Sequence, residues 1–307
     1  MPKYFLDINN DMDNIMDGGA DHSIGNLMLD GDIKHHLKKV IRVHVGDEVI
    51  LCDGRKTDYK CTVATLEPLI LHVKSKKKCL TEPKCKITLY QAMPKADKMD
   101  WIVQKAVELG VNEIVPIYTE HCVAKPVKAD RKAGPEKKRS DKIERYQKIA
   151  QSAAGQSMRG IIPIVHTPLS WSEAIERATE GATRNAAEDA TEDATESVTK
   201  NATGNATKKS SLQIVAHEKE KQNTIKSVFE FECKWAEHSS GQTAPIQIGQ
   251  TVPTQIGLWI GPEGGFSDSE IKAMQEKNFK PVSLGPRILR TETAAIAALA
   301  QIIFLQD

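Results

Sequence analysis

The chain has 307 residues, enough for two domains, with 40% hydrophobic residues to build their cores and only 5% aromatics to stack on bases. No apolar run reaches the roughly eighteen residues a membrane span needs, and Met1-Pro2-Lys3-Tyr4 begins no signal peptide. Cysteines at positions 52, 61, 79, 85, 122 and 233 form no C-x-x-C pair, so neither a zinc site nor a disulfide framework is suggested, and reduced thiols in a cytosol-like compartment fit best.

The first eighty residues read as β structure. Val40–Val45, Glu48–Cys52, Cys61–Leu66 and Leu69–Lys74 are short strand-like runs, and Asp53-Gly54 is a turn signal, a pattern that suits a small barrel. The basic segment Lys74–Lys78 then links to a new strand, Cys85–Gln91. A helix follows Lys95, with Asp97 as its cap and Met99, Ile102, Val103, Ala106 and Leu109 at helical spacing before Gly110 ends it. Strand Glu113–Tyr118, a charged helix from about Ser140 to Ala154 and strand Ile161–Val165 continue an alternation that predicts a parallel α/β sheet.

Three stretches stand apart. Asn9–Ser23 is acidic. Residues 179–211 repeat Ala-Thr pairs with few large apolar side chains, too few to offset the entropy of ordering, and predict a disordered insertion. Its two Asn-Ala-Thr triplets, at Asn201 and Asn205, match a glycosylation pattern by chance, given no secretion signal. A polar insertion, 238–255, is rich in Gly, Gln, Ser, Thr and Pro.

The net charge of +1 becomes informative only when divided along the chain. Lys74–Lys86 holds six lysines against Glu82, and His121–Ala150 holds ten Lys or Arg against four acids. Asp7–Asp21 has five aspartates and no base, and Glu180–Glu196 has six acids against Arg184. Such segregation creates local positive fields that attract phosphates on a nearly neutral molecule, although most charge runs are solvated helix faces.

Leu258–Ala298 carries two glycine-bearing turns, Ile260-Gly261-Pro262-Glu263-Gly264-Gly265-Phe266 and Leu284-Gly285-Pro286-Arg287-Ile288-Leu289-Arg290-Thr291-Glu292. Each follows an apolar β-like run (Ile256–Ile260, then Pro281–Leu284) and leads towards a helix. Glycine admits close backbone approach and positive φ, so two such turns on neighbouring parallel strands predict a pocket lined by main chain. Neither has P-loop spacing, and a dinucleotide fingerprint is absent. A lone Gly-Gly turn is usually only a turn, but Arg287, Arg290, Thr291 and Glu292 bring more hydrogen-bonding capacity than a structural turn requires.

This pair of motifs resembles the C-terminal signature of the RsmE family, SPOUT-class methyltransferases that modify a uridine of small-subunit ribosomal RNA at N3. Further stretches match in order: His36–Arg42 followed by Gly46-Asp47, Lys95–Val111 with Glu108-Leu109-Gly110-Val111, Glu144-Arg145-Tyr146, Gln156-Ser157-Met158-Arg159, and Leu212–Glu218. The resemblance spans nearly the whole chain apart from the three insertions. It departs at Gly155, where the family usually has an acidic residue, and at Tyr146, where tryptophan is common.

The resemblance implies a PUA-like, RNA-binding β-barrel over residues 1–80 and a SPOUT α/β domain with a trefoil knot over residues 81–307. It implies S-adenosyl-L-methionine as cofactor, held by Ile260, Gly261, Glu263 and Gly264, by Leu284, Gly285, Ile288 and Leu289, and by Ala216 and His217. Arg42, Lys95, Gln156 and Arg159 are the expected RNA contacts. Methylating uracil N3 requires loss of its proton, so a general base or groups stabilising charge on the carbonyls are needed. Arg290 and Arg159 are candidates for uracil carbonyls or phosphate, and Glu292 is the nearest acid, equally suited to pair with Arg287 or Arg290. No metal is implied. The implied partners are small-subunit ribosomal RNA in the assembled 30S-type particle and a second copy of the chain, through the apolar helix Thr293–Phe304, in the cytoplasm. A SPOUT enzyme for another RNA, such as a transfer RNA, and a noncatalytic ribosome-assembly factor are the alternatives.

Overall fold

The computed structural model describes residues 3–6, 15–16, 25–123, 135–179, 211–239 and 253–306. Most of Asn9–Ser23, of 179–211 and of 238–255, and the middle of the basic run His121–Ala150, lie outside them. The chain divides into two compact units, residues 1–82 with 148–163, and residues 83–147 with 164–307.

The first unit is a six-stranded mixed sheet of β1 (Lys3–Phe5), β2 (Ile15–Met16), β3 (Gly25–Met28), β4 (Glu48–Cys52), β5 (Thr57–Leu66) and β6 (Leu69–Lys78), in the order β1-β4-β5-β6-β3-β2. Only β1 and β4 run parallel. Period-two alternation sends Val49 and Leu51, Tyr59, Cys61 and Val63, and Leu69, Leu71 and Val73 into one core with Leu27, Leu29 and Leu37. Asp53-Gly54 forms the expected turn: Gly54 has φ +70°, and Asp53 Oδ1 accepts from the amides of Arg55 and Thr57.

Two expectations fail here. Val40–Val45 is not a strand: the short helix α1 (Gly31–His35) runs into a π-helical turn, His36–Ile41, that ends at Arg42 in the left-handed region. Both edges of β4 are taken by β1 and β5, and Val40, Ile41 and Val45 stay exposed. Lys74–Lys78 is not a linker but the end of β6, where Lys77 pairs with Asp58 and Lys78 with Thr57.

The second unit is a parallel sheet. Its strands β7 (Lys86–Ala92), β8 (Glu113–Tyr118), β10 (Leu169–Ser170), β11 (Ser211–Ala216), β12 (Gln255–Ile260) and β13 (Lys280–Val282) lie in the order β10-β8-β7-β12-β11-β13, with β9 (Ile164–Val165) beside β8. Every pairing is parallel. The central strands are nearly continuous apolar runs because both faces are covered. Helices α2 (Lys98–Glu108), α3 (Pro135–Gln156), α4 (Ile225–Ser239), α5 (Asp268–Glu276) and α6 (Thr291–Phe304) connect or follow them.

Helix α2 buries Met99, Ile102, Val103 and Ala106 as its spacing predicts, and Gly110 follows it at φ +95°. Asp97 occupies the N-cap position, but its side chain makes no capping hydrogen bond. Helix α5 is the helix towards which the first glycine turn leads, and Ser267-Asp268-Ser269-Glu270 spells its capping box: the Ser267 hydroxyl accepts from the Glu270 amide and the Glu270 carboxylate from the Ser267 amide. Among the described residues, no helix is long and apolar enough to cross a membrane, and the five described cysteines are buried thiols.

Where β11 meets β12, Gln213 faces Gly257, and its Oε1 accepts from Trp259 Nε1 at 2.9 Å. Trp259 is fully buried and stacks on Tyr90 with ring centroids 4.0 Å apart. A Cβ on Gly257 would come within 1.9 Å of Gln213 Oε1, so this glycine makes room for the group that satisfies the indole. Gly257→Val is therefore expected to destabilise the chain by about 2 kcal/mol or more, by overpacking and by orphaning a buried N–H. Denaturant unfolding followed by tryptophan fluorescence checks this.

Candidate functional site

In a parallel sheet every strand delivers its C-terminal loop to the same edge, and ligands of open α/β sheets bind there. The loops after β7, β8, β11, β12 and β13 meet this condition, and those after β11, β12 and β13, with the strand ends Ala216 and Ile260, carry every cofactor residue expected from the sequence. One expectation is corrected: β12 and β13 are not neighbours, because β11 lies between them. Ala216, the last residue of β11, pairs with Val282, and the His217 amide donates to the Val282 carbonyl at 3.0 Å. Ala216 and His217 thus stand between the two glycine turns.

The first turn is tightly packed. Gly265 has φ +68°, and a Cβ there would lie 2.8 Å from Glu218 Oε1. Its amide donates to the Pro262 carbonyl at 2.9 Å. A Cβ on Gly261 would press on the backbone of Gly265 and Phe266 at 3.2 Å. His121, from the loop after β8, donates from Nδ1 to the carbonyl of Gly264 at 3.0 Å. The second turn is open instead. Gly285 has φ +112°, and a Cβ there would meet only Arg287 Nη2, at 4.0 Å. Its amide donates to Ser283 Oγ at 3.2 Å. Leu284 and Leu289 are half-buried, whereas Ile288 is 88% exposed.

Thr291 closes the site. Its hydroxyl donates to the Gly261 carbonyl at 2.7 Å and accepts from Gln91 Nε2 at 2.9 Å. Gln91, fully buried near the end of β7, was missed; a lone amide in the apolar run Ile87–Ala92 was its sequence signal. Lys98 was missed as well. Its Nζ lies 3.1 Å from Glu263 Oε1 and 3.2 Å from Glu292 Oε2, and the Lys95 amide donates to the same Glu263 oxygen at 3.1 Å. Burial works against the Glu263 carboxylate, yet hydrogen bonds from its own amide, the Lys95 amide and Lys98 hold its pKa below the usual range. Its hydrogen bond to Glu263 and then its ion pair with Glu292 raise that of Lys98.

Glu292 is thus the partner of Lys98, not of the arginines the sequence offered. Arg287 and Arg290 are exposed and have no ion-pair partner among the described residues. The buried Nδ1 of His217 has no hydrogen-bond partner among them, and the nearest carboxylate, Glu218, is 3.6 Å away.

The expected RNA contacts fare differently. Arg42, Lys95 and Gln156 are exposed. Arg159 is corrected: at 2% exposed, its guanidinium bonds Glu82 through Nη2 at 2.6 Å and Nε at 3.2 Å, and Glu82 Oε1 also accepts the Gly160 amide at 2.8 Å. A cation so enclosed cannot reach a uracil or a phosphate; it holds the turn after α3. Of the Lys74–Lys86 run, Lys74 pairs with Glu48 and Lys76 lies over the Tyr59 ring, while Lys77 and Lys78 are exposed.

Comparison with known proteins matches an RNA methyltransferase domain to residues 81–218 and 206–303, and an RNA methyltransferase PUA domain to residues 29–74. The chain is 28% identical to the ribosomal RNA small subunit methyltransferase E of Bacillus subtilis (strain 168), over 90% of this chain and 89% of that one. It is 29% identical to the protein of that description from Mesomycoplasma hyopneumoniae, over 72% and 71%. In fold it is similar to a ribosomal RNA small subunit methyltransferase E from Neisseria gonorrhoeae, crystallised bound to S-adenosyl methionine. That likeness has a TM-score of 0.64 at 24% identity, over 99% of this chain and 98% of that one.

Glu82→Ala leaves Arg159 buried without its counter-ion and is expected to cost about 3 kcal/mol or more. A fall of that size in unfolding free energy, with Gln156→Ala near neutral, separates the structural arginine from the exposed glutamine beside it.

Proposed function

This chain belongs to the RNA methyltransferase family, and we propose that it transfers a methyl group from S-adenosyl-L-methionine to N3 of a uridine in small-subunit ribosomal RNA. The observation that carries this reading is the Thr291 hydroxyl joining Gln91 on β7 to the Gly261 carbonyl, which binds both glycine turns into one edge of the sheet.

The residues present fit the cofactor. Ile260, Gly261, Glu263 and Gly264 supply the close-packed side, Leu284, Gly285, Ile288 and Leu289 the open side, and Ala216 and His217 the floor between them. The open space over Gly285, the bare Ile288 side chain and the His217 Nδ1, which has no hydrogen-bond partner among the described residues, are what a bound apolar and polar ligand would cover. When bound, the cofactor supplies an electrophilic methyl group on a sulfonium. The chain's own task is to hold the base in line and favour loss of its N3 proton.

Arg290, exposed beside the second turn and without an ion-pair partner among the described residues, serves the uracil carbonyls or the adjoining phosphate, stabilising negative charge that develops on the ring. N3 lies on the pairing edge, so the target base enters unpaired or extruded. RNA is gathered by residues 1–80, with Arg42 exposed on a turn of positive residues, and by Lys95 and Gln156; residues 81–307 form the methyltransferase domain.

We also assign to residues 81–307 the trefoil knot of SPOUT enzymes. After β13, at the sheet edge, the chain must pass β11 to bring Thr291 against β12 and β7, a return path that supports threading. One face of α6 is core (Ala295, Ala298, Leu299 and Ile302), while Phe304 is 81% exposed, an apolar remainder suited to a second copy of the chain. The assembled small subunit is the proposed substrate, and the cytoplasm the proposed location.

The deciding measurement is transfer of labelled methyl to purified small subunits, naked ribosomal RNA and transfer RNA, with the product digested to nucleosides. N3-methyluridine on the subunit is expected; label on transfer RNA moves the function, and no cofactor binding leaves an assembly factor. Arg290→Ala should lower kcat about 100-fold with cofactor affinity nearly unchanged. Gly264→Trp, whose side chain meets His121 Cβ only 3.0 Å from its own Cβ, should abolish cofactor binding and spare RNA binding.

A further inference from the structure

We infer that Lys98 is a positioning residue of this site: its ammonium ties Glu263, on the first glycine turn, to Glu292, on the first turn of α6. It thereby sets the distance between the segment that holds the cofactor and the segment that carries Arg290. The inference rests on the methyltransferase reading above and adds a residue to it.

Three stretches remote in sequence meet at one nitrogen. Lys98 opens α2, Glu263 lies in the loop after β12, and Glu292 follows Thr291 at the start of α6. The Nζ distances are 3.1 Å to Glu263 Oε1 and 3.2 Å to Glu292 Oε2, and the side chains are 30%, 26% and 16% exposed in that order. Solvent screening is therefore weaker than for a pair on the open surface. The Lys95 amide, donating to the same Glu263 oxygen, fixes that carboxylate from a second direction.

Without the ammonium the two carboxylates face each other as like charges, no farther apart than the two ion-pair distances together allow. Their repulsion would act on the turn after β12 and on the start of α6. Those are the two segments that the Thr291 hydroxyl joins to each other through the Gly261 carbonyl. Arg290 immediately precedes Thr291, so a displacement of α6 is passed to the cation proposed to act on the base. Small misplacements of reacting groups cost large factors in rate. The pairing also gives Glu292 a counter-ion at the start of α6.

Lys98→Met, Lys98→Arg, Glu292→Gln and the Lys98→Met/Glu292→Gln double variant of the full chain test this. Three quantities are read: S-adenosylhomocysteine affinity by calorimetry, kcat and KM for methyl transfer, and the melting temperature. Lys98→Met is expected to weaken S-adenosylhomocysteine about tenfold and lower kcat about tenfold, with KM for RNA nearly unchanged. Lys98→Arg should restore most of both. The double variant should be no worse than Lys98→Met, because coupled residues do not add.

Wild-type affinity and kcat in Lys98→Met would overturn the inference, as would effects that multiply in the double variant. So would an early-melting Lys98→Met whose losses the arginine does not recover, which would make the residue merely structural. A wild-type chain that binds no S-adenosylhomocysteine would instead overturn the functional reading on which the inference stands.

Discussion

The Thr291 hydroxyl has two bonds to give and receive, and both are used in the interior: one to the Gly261 carbonyl, one from the Gln91 amide. A buried hydroxyl and a buried amide are costly unless paired, so each requires the other in place. The consequence reaches well beyond three residues. Gln91 lies near the end of a central strand, Gly261 opens the first glycine turn, and Thr291 begins the last helix, so the two bonds through the Thr291 hydroxyl fix where the chain returns after β13. The glycine turns acquire a defined relation only because this bond closes across them.

The cations fall into three kinds of surroundings. Arg159 and Glu82 are buried together, with Glu82 also taking backbone amides, and they shape a turn in the first unit. Lys98 shares its charge between two half-buried carboxylates at the edge of the parallel sheet. Arg287 and Arg290 are exposed and have no ion-pair partner among the described residues. A cation already neutralised by geometry does structural work, and one left exposed beside a glycine turn can meet an anion or a polarised carbonyl. The same residue type therefore divides by surroundings, which no residue count could reveal.

The two sheets follow different physical rules. The first unit buries one face of mostly antiparallel strands, so its strands alternate; the second buries both faces of a parallel sheet, so its strands are almost wholly apolar. Polar exceptions in the second are informative for that reason. Gln213 satisfies the Trp259 indole where Gly257 leaves room, and Gln91 serves Thr291. Both amides lie in strands that are otherwise largely buried apolar side chains.

Periodicity and turn chemistry were sufficient for the local elements. The spacing of Met99, Ile102, Val103 and Ala106 gave α2, the run Glu113–Tyr118 gave β8, and Asp53-Gly54 gave the turn before β5. The glycines of both turns were legible as close-packed or positive-φ positions, and the family resemblance supplied the expectation that they hold a cofactor. Val40–Val45 misled because an apolar run does not say whether a strand edge is free to receive it. The strand order was hidden too, since pairing of β11 between β12 and β13 depends on residues far apart in sequence. So was the division of the charges. Local geometry is written in neighbouring residues, which the sequence by itself determined: the elements, their turns and the glycines that line the site. Partnership between remote side chains is a matter of distance, and only the tertiary structure decided that Arg159 belongs to Glu82, Glu292 to Lys98, and Thr291 to Gln91 and Gly261.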